Sequence, residues 1–441
     1  MNEEIKQKAE YCLNCKNPQC KIGCPLGNHI PDFIAQVKQG DYQKAYKILC
    51  ETTVLPAICG RICPHQKQCQ GKCIRGIKGK PVSIGEIEAF IGDWALERKD
   101  SLLNCYLKDG MLLEESLNSE DTENMTNTKN KVNSKKVAIV GGGPAGLTAA
   151  VFLRKNGIQV TIYEKQKELG GILKRGIPDF RLNKEIVDKT IEQILNLGIE
   201  VNYEKELGKN LELKDLEEQY DAVFLSVGAN IPIKMAIEGE ELEGVFGGNT
   251  LLEKEKHPDY HGKNVAIIGG GNVAMDCART IKRLGAQQVV VIYRRSETEM
   301  PAEIKEIADA KKEGVEFLFL TNITKVLGNT KVEKIECIKT QLVKEEGEDR
   351  KVPVDIENSN YVIPMDYVVM ALGGKADKEM LDTQGFEMTK NKYVKIDEKG
   401  RTSHPKVFAG GDVVGQISTV AWAAKDGRDI AEKIVEYLET K

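Results

Sequence analysis

The sequence predicts an α/β fold in which a small α-helical domain precedes two Rossmann-like domains. Three observations predict it. A strand, a glycine turn, a helix and a second strand follow one another twice, Gly269 standing 128 residues after Gly141. Nine of the twelve cysteines crowd between Cys12 and Cys73. A polar stretch, 117–134, separates the two kinds of sequence. At about 150 residues per domain, a chain of 441 residues has room for roughly three domains.

Residues 1–116 form the helical block. Ile30, Phe33, Ile34 and Val37 recur at helical spacing, as do Ile84, Ile87, Ile91 and Trp94. Residues 117–134 are rich in Asn, Thr, Ser, Glu and Lys and read as an exposed linker. The first βαβ unit then takes 136–140 as strand, 145–156 as helix and 159–163 as strand. The second takes 264–268, 273–284 and 288–293. Further strands are expected at 222–226, 316–319, 332–338, 367–371 and 406–409, and a closing helix, either one long helix or a broken one, over 419–438. The nesting puts the first nucleotide domain at 135–250 and 365–441, with the second, 251–364, inserted in it.

Lys plus Arg number 63 and Asp plus Glu 67, a formal net charge of -4. That disfavours a general nucleic-acid binder, and only weakly disfavours a local basic site. The first ten residues are polar, with no apolar core of a signal peptide. The longest uncharged apolar stretch, 137–153, is broken by Gly141-Gly142-Gly143-Pro144, so no membrane span is expected. A cytoplasmic chain follows as the expectation, and there dense cysteines mean metal or redox chemistry, not disulfides.

The first cysteine run is Cys12-x2-Cys15-x4-Cys20-x3-Cys24-Pro25. The second is Cys59-x3-Cys63-Pro64-x4-Cys69-x3-Cys73. Iron–sulfur cages need several thiolates converging from short loops, often with one ligand from elsewhere in the chain. A proline after a ligand cysteine stops a helix from continuing. Two 4Fe-4S clusters are the favoured reading, and two four-cysteine zinc sites the alternative. Spacing alone would take Cys59 as the eighth ligand.

Gly141, Gly143 and Gly146 fit the G-x-G-x-x-G fingerprint, with Pro144 and Ala145 opening the helix. The turn closes on its glycines, a pyrophosphate approaches the backbone, and the helix N-terminus meets its charge. Glu164, 23 residues after Gly141, can accept hydrogen bonds from ribose hydroxyls. The second fingerprint is Gly269, Gly271, Asn272, Val273 and Ala274. Its second strand ends in Arg294 and Arg295 where an acid would repel a 2′-phosphate, which favours NADP(H) over NAD(H). Two such units suggest FAD first and NADPH second. Gly411 and Asp412 end a short strand and resemble the second FAD motif of two-nucleotide flavoproteins, with Thr419 starting the helix that follows. Gly373 joins the expected cofactor contacts. No Cys pair at dithiol spacing lies in either Rossmann region, so a disulfide-reductase mechanism has no dithiol. Cys277 and Cys337 read as core residues.

Taken in order, the cysteine block, the FAD fingerprint, Gly170-Gly171-Ile172-Leu173 with Gly176-Ile177-Pro178, the NADPH fingerprint, Met300-Pro301 and Gly411-Asp412 resemble a known family. It is the small (beta) subunit family of NADPH-dependent glutamate synthase, matched along nearly the whole chain. The same module is similar to the large subunit of bifurcating NADH-dependent ferredoxin:NADP oxidoreductase, to sulfide dehydrogenase alpha subunits and to the N-terminal half of dihydropyrimidine dehydrogenase. The resemblance implies glutathione-reductase-type nucleotide domains, with Gly171, Ile172, Gly176 and Ile177 near the cofactor. It also implies a cluster on Cys12, Cys15, Cys20 and Cys73, and a second on Cys24, Cys63, Cys69 and Glu88. Cys59 and Cys50 become bystanders.

The resemblance further implies a relay from NADPH through FAD and the two clusters to a partner, with no protein general base. The partner would be a large synthase-type subunit or a small electron-carrier subunit. Family members carry a longer arm ahead of the first cysteine, where this chain has eleven residues. The alternatives are a ferredoxin:NADP oxidoreductase or sulfide dehydrogenase role, and a sensor that holds clusters without turnover.

Overall fold

The computed structural model describes residues 2–99, 101–106, 135–344, 351–415 and 417–440. The expected linker, 117–134, lies outside them. The chain divides into two compact units, one of 1–174, 179–229 and 376–441, the other of 175–178 and 230–375.

The first unit carries a five-stranded parallel sheet in the spatial order Val407–Ala409, Ala222–Leu225, Lys136–Val140, Gln159–Tyr163, Glu200–Asn202. Its late strand pairs with Ala222–Leu225, so the C-terminal segment completes a sheet begun some 270 residues earlier. Both neighbours of Lys136–Val140 run parallel to it, which is why its residues are apolar without alternation. The Pro144–Lys155 helix packs against the unbroken Val420–Glu439 helix. A side chain at Gly427 would stand 2.1 Å from the Ala145 carbonyl oxygen, so the two helices meet backbone to backbone there.

The N-terminal part of this unit is helical. Phe33, Ile34, Val37, Ile58, Ile84, Ile87 and Ile91 fill its core. The Ile30–Gln39 helix has a proline in its first turn and stops at Gly40, whose φ is +77°. Asp41 caps the Tyr42–Cys50 helix, its carboxylate accepting from the Lys44 amide at 2.9 Å. The Pro56–Ile62 and Ile84–Leu96 helices close on small residues: a Cβ on Gly60 would meet the Ala89 nitrogen at 2.3 Å, and one on Gly92 the Ala57 nitrogen at 2.2 Å. That contact sets the face bearing Cys59 and Cys63 against the face bearing Glu88.

The second unit has its own five-stranded parallel sheet, in the order Val245–Gly247, Tyr367–Met370, Asn264–Ile268, Gln288–Tyr293, Glu316–Phe319. Alternate residues face opposite layers. Val265, Ile267, Val289 and Val291 pack with the Asn272–Arg283 helix, while Ala266, Ile268, Val290 and Ile292 pack with Ile323, Val326 and Ile335.

Those last three belong to an antiparallel sheet of Thr321–Leu327, Lys334–Val343, Val352–Asp355 and Tyr361–Pro364, of which only 332–338 was expected. A register shift between Ile323 and Lys325 hides the alternation of Thr321–Leu327 from a period-two reading. The breaks between units fall at 229/230 and 375/376, where 250/251 and 364/365 were expected. Strands Val245–Gly247 and Tyr367–Met370 pair within the second sheet and carry their flanks with them. Among the described residues no helix is long and apolar enough to cross a membrane.

Candidate nucleotide and iron–sulfur sites

The first fingerprint forms a tight turn between strand and helix. Gly141 has φ +104°, and a side chain there would meet the Ser226 carbonyl oxygen at 2.6 Å. A Cβ on Gly146 would lie 2.0 Å from the Gly141 oxygen, so helix and turn touch through it. Gly143, at the helix N-cap, has open space where its side chain would stand. An open backbone at a helix N-terminus is the cradle a pyrophosphate needs.

Glu164 is buried one residue past its strand. It accepts from the Gly142 amide at 2.8 Å and the Gln166 amide at 2.9 Å, so its carboxylate is set by the turn it serves. Gly170 donates to the Gly142 oxygen at 2.8 Å, and a Cβ on Gly171 would stand 3.1 Å from Gly143 Cα, which brings Gly171 and Ile172 to the same turn.

The Gly411–Val414 turn reaches this cradle from the other end of the chain. A Cβ on Gly411 would stand 3.2 Å from Ala145 Cβ, and the Gly411 amide donates to Asp426 at 3.0 Å. Burial raises the Asp412 carboxyl above the usual range, against a hydrogen bond from Ser418. Thr419 caps the Val420–Glu439 helix, accepting from the Trp422 amide. Gly411 thus stands against the first fingerprint at Ala145, with Asp412 next to it in the chain and Thr419 at the N-cap of the helix that follows. Gly176, Ile177 and Gly373 fall in the second unit; Gly373 had been expected in the returning segment of the first domain.

The second fingerprint repeats the design. Gly269 has φ +137° beneath the Ala371 oxygen, and Gly271 meets only the edge of Pro301, at 4.0 Å. Asn272 Oδ1 accepts from the Glu303 amide at 2.9 Å, and the Ala302 amide donates to the Gly270 oxygen at 3.1 Å, so the Met300-Pro301 loop is tied to the turn. Val273 and Ala274 point into the core. Arg294 is exposed, with its carbonyl accepting from Thr340 at 2.8 Å. The Arg295 Nε is buried with no hydrogen-bond partner among the described residues. A buried guanidinium donor without an acceptor fits a site that an anionic group completes.

The cysteines fold into two sets. Cys12, Cys15, Cys20 and Cys73 line one open cavity. Burial, then the nearby Cys73 and Cys12, push the Cys20 thiol up to about 11. Cys24, Cys59, Cys63, Cys69 and Glu88 form the other set. Burial, then Glu88, pushes Cys24 up to about 12; a hydrogen bond with Cys59, then burial, raises Cys63; burial, then Glu88 and Cys24, raises Cys69. Cys59 is therefore within hydrogen-bond reach of Cys63, closer than a bystander need be.

Among the described residues, no three His, Cys, Asp or Glu side chains stand close enough to hold one metal ion. A cage of several irons, when bound, would by its positive charge hold as thiolates the sulfurs that burial leaves protonated.

Glu88 is 5% exposed, and burial pushes its carboxyl up to about 8. Asn28 Nδ2 donates to Glu88 Oε1 at 3.2 Å, and Thr52 Oγ1 donates to Asn28 Oδ1 at 2.7 Å. Arg428, on the Val420–Glu439 helix, donates to the Leu26 and Thr52 carbonyls at 2.7 and 3.1 Å. A chain of hydrogen bonds thus links the helix capped at Thr419 to the second thiol set. Sequence reasoning missed Asn28, Arg428, Asp426 and Gly427. Asn28 lies 60 residues from Glu88, and Arg428 lies 402 from Leu26, so no local pattern marks them. Cys277 and Cys337 are buried in the second unit's cores, and Cys50 is hydrogen-bonded with Cys105.

Residues 135–427 match the pyridine nucleotide-disulphide oxidoreductase family, and residues 1–100 match dihydropyrimidine dehydrogenase domain II, 4Fe-4S cluster. The chain is 33% identical over 463 residues to the NADPH glutamate synthase small chain of Escherichia coli (strain K12), covering 99% of this chain and 92% of that one. It is 35% identical to the corresponding chain of Halomonas elongata, covering 99% and 91%. It is 36% identical to the NADP(+)-dependent formate dehydrogenase subunit beta of Moorella thermoacetica, covering 95% of this chain and 60% of that one.

Among solved structures, Mycobacterium tuberculosis FprA in complex with NADPH superposes with a TM-score of 0.61 at 22% identity, over 69% of this chain and 85% of that one. That likeness carries the fold alone. From matches that span nearly the whole chain, it follows that the protein belongs to the pyridine nucleotide-disulphide oxidoreductases, within the glutamate synthase small-chain group that places a 4Fe-4S domain ahead of them.

Proposed function

We propose that this chain is the electron-input subunit of a glutamate synthase-type enzyme, oxidising NADPH and delivering its electrons to a large partner subunit. The observation that carries the reading is the pairing, in one chain whose Rossmann regions hold no cysteine pair at dithiol spacing, of two nucleotide cradles with two thiol cages. The near-complete coverage of the glutamate synthase small chains supports it. FAD, when bound, supplies the exchange between a hydride and single electrons, and the two 4Fe-4S clusters supply one-electron carriers.

This chain's residues bind and orient. Gly143 opens the first cradle to a pyrophosphate, and Glu164 offers its carboxylate to the ribose. Gly271 opens the second cradle, and Arg294 and Arg295 receive the 2′-phosphate. Cys12, Cys15, Cys20 and Cys73 hold one cluster; Cys24, Cys63, Cys69 and Glu88 hold the other. No side chain is asked to act as a general base. Twelve thiols in the sequence suit the reducing cytoplasm.

Anaerobic titration tests this. NADPH should bleach the flavin of the holoprotein and drive reduction of an artificial dye, and bleaching by neither NADPH nor NADH would sink the reading. A second reading, a ferredoxin:NADP or dehydrogenase-linked role, draws on the 36% identity to the formate dehydrogenase subunit. Co-purification from the native source separates the two: a large amidotransferase-type subunit supports the first, and a small flavin or iron–sulfur subunit the second.

A further inference from the structure

Arg294 and Arg295 stand just past the end of strand Gln288–Tyr293, on a loop. Where a guanidinium on a loop can reach depends on how its backbone is held. Here both carbonyls are held from the antiparallel sheet and its entry. The Arg294 oxygen accepts from Thr340 Oγ1 at 2.8 Å, and the Arg295 oxygen accepts from the Leu320 amide at 3.1 Å. The Thr340 amide in turn donates to the Leu320 oxygen at 2.8 Å. These hydrogen bonds close a ring through both arginine backbones, Leu320 and Thr340.

The two anchors are unusual for where they sit. Thr340 is 3% exposed on strand Lys334–Val343, and its hydroxyl leaves that sheet to reach a loop of the parallel one. Leu320 joins strand Glu316–Phe319 to strand Thr321–Leu327 and has φ +51°. A bulky residue keeps that left-handed backbone only where its surroundings fix it. In that conformation Leu320 gives its N–H to Arg295 and its oxygen to Thr340.

The rest of the loop is closed as well. Tyr293 Oη donates to the Glu299 carbonyl at 3.0 Å, and the Ser296 amide to the Glu299 carboxylate at 3.0 Å. The antiparallel sheet is itself seated on the parallel one, with Ile323, Val326 and Ile335 packed with Val290 and Ile292. Arg295 Nε is buried with no hydrogen-bond partner among the described residues, which leaves the backbone ring to order it.

We propose that Thr340 is a positioning residue for nucleotide choice: directly and through Leu320 it holds the Arg294 and Arg295 carbonyls so that both guanidiniums face a 2′-phosphate, on the reading above that these arginines receive one. NADH, which lacks that phosphate, makes no use of the ring. A loop ordered before the nucleotide arrives favours NADPH without any contact from Thr340 to the nucleotide itself.

The test is steady-state kinetics of the holoprotein with NADPH and NADH, an artificial dye serving as acceptor. Thr340→Val keeps the shape and removes the hydroxyl. It should raise KM for NADPH roughly 3- to 10-fold, the range of one lost neutral hydrogen bond, and leave KM for NADH and kcat with either nucleotide unchanged. Thr340→Ala, which makes room where it removes the hydroxyl, is read the same way should Thr340→Val not fold. Thr340→Ser keeps the hydroxyl and should keep the wild-type KM. In a chain already carrying Arg294→Ala and Arg295→Ala, Thr340→Val should add nothing, because residues that act through one contact are not additive. Equal rises in KM for both nucleotides would make Thr340 a support of the whole cradle and overturn the inference. So would an effect that persists in the double-alanine chain. If the double-alanine chain kept the wild-type KM for NADPH, the reading of the site would fall and this inference with it. If that chain lost its hold on NADPH while Thr340→Val and Thr340→Ala did not, the reading would stand and this inference would fall.

Discussion

Glu88 shows how far burial can change a residue's meaning. On sequence it is a glutamate in a helix, a position usually given to solvent. In the fold it is enclosed beside three thiols, and Asn28 is its hydrogen-bonding neighbour. The Thr52 hydroxyl donates to Asn28 Oδ1, which leaves the amide nitrogen to face Glu88, so Asn28 can only donate to it. Glu88→Ala should cost about half the iron and one of two reduced-cluster EPR signals; full retention of both by iron count and EPR would reject it as a ligand. Asn28→Leu should keep the iron and shift the signal of that same cluster. At the other site, replacing Arg294 and Arg295 with alanine should raise KM for NADPH roughly 10- to 100-fold and leave that for NADH nearly unchanged, the range expected for lost charge-assisted hydrogen bonds. Steady-state kinetics with both nucleotides checks it.

Elements meet through small residues and through ion pairs. Gly427 lets the Val420–Glu439 helix reach the start of the Pro144–Lys155 helix. Gly427→Ala should cost about 1–3 kcal/mol, by the usual penalty of overpacking, and lower flavin content measured by absorbance after purification. In the second unit the Asn272–Arg283 helix is held to the Ile304–Lys312 helix and the residue after it. Arg279 Nη2 lies 2.8 Å from Glu313, Arg283 Nη2 2.6 Å, and Arg279 also pairs with Glu306.

The Arg283 hydrogen bond, with that of Arg279 behind it, holds the Glu313 carboxyl at about 2 against the cost of burial. An unfolded glutamate titrates near 4.3, so the folded state favours the charged form. The resulting stability is present above about pH 4.3 and is lost as pH falls toward 2. Glu313→Gln should therefore flatten the acid limb of the second unit's thermal stability in that window, measured by melting at a series of pH values.

At the scale of the molecule, one chain builds two units by leaving the first sheet and returning to it. Strand Val407–Ala409 cannot be assigned to the first sheet from its own three residues; it is placed by pairing with Ala222–Leu225. A ligand that binds one unit should stabilise that unit. Saturating NADP+, at about 100 times its Kd, should add roughly 2.7 kcal/mol to amides of the second parallel sheet in hydrogen exchange. Equal protection of the first sheet would argue that the nucleotide's site has been misassigned.

The βαβ units, the fingerprint glycines and the cysteine runs were legible because each is a local pattern. A turn needs its glycines in consecutive positions, and a parallel strand buried on both faces needs an unbroken apolar run. By itself the sequence therefore determined the two Rossmann units, their order and the thiol-rich helical domain ahead of them. The family resemblance, not spacing, pointed to Glu88. Only the tertiary structure decided that Glu88 is enclosed with Cys24, Cys63 and Cys69, that Asn28 and Arg428 link that set to a distant helix, and that the unit boundaries fall at 229/230 and 375/376. The physical reason is range. Helix periods and glycine turns are settled within a few residues, whereas a buried carboxylate's partner and a sheet's edge strand are set by packing between segments far apart in the chain.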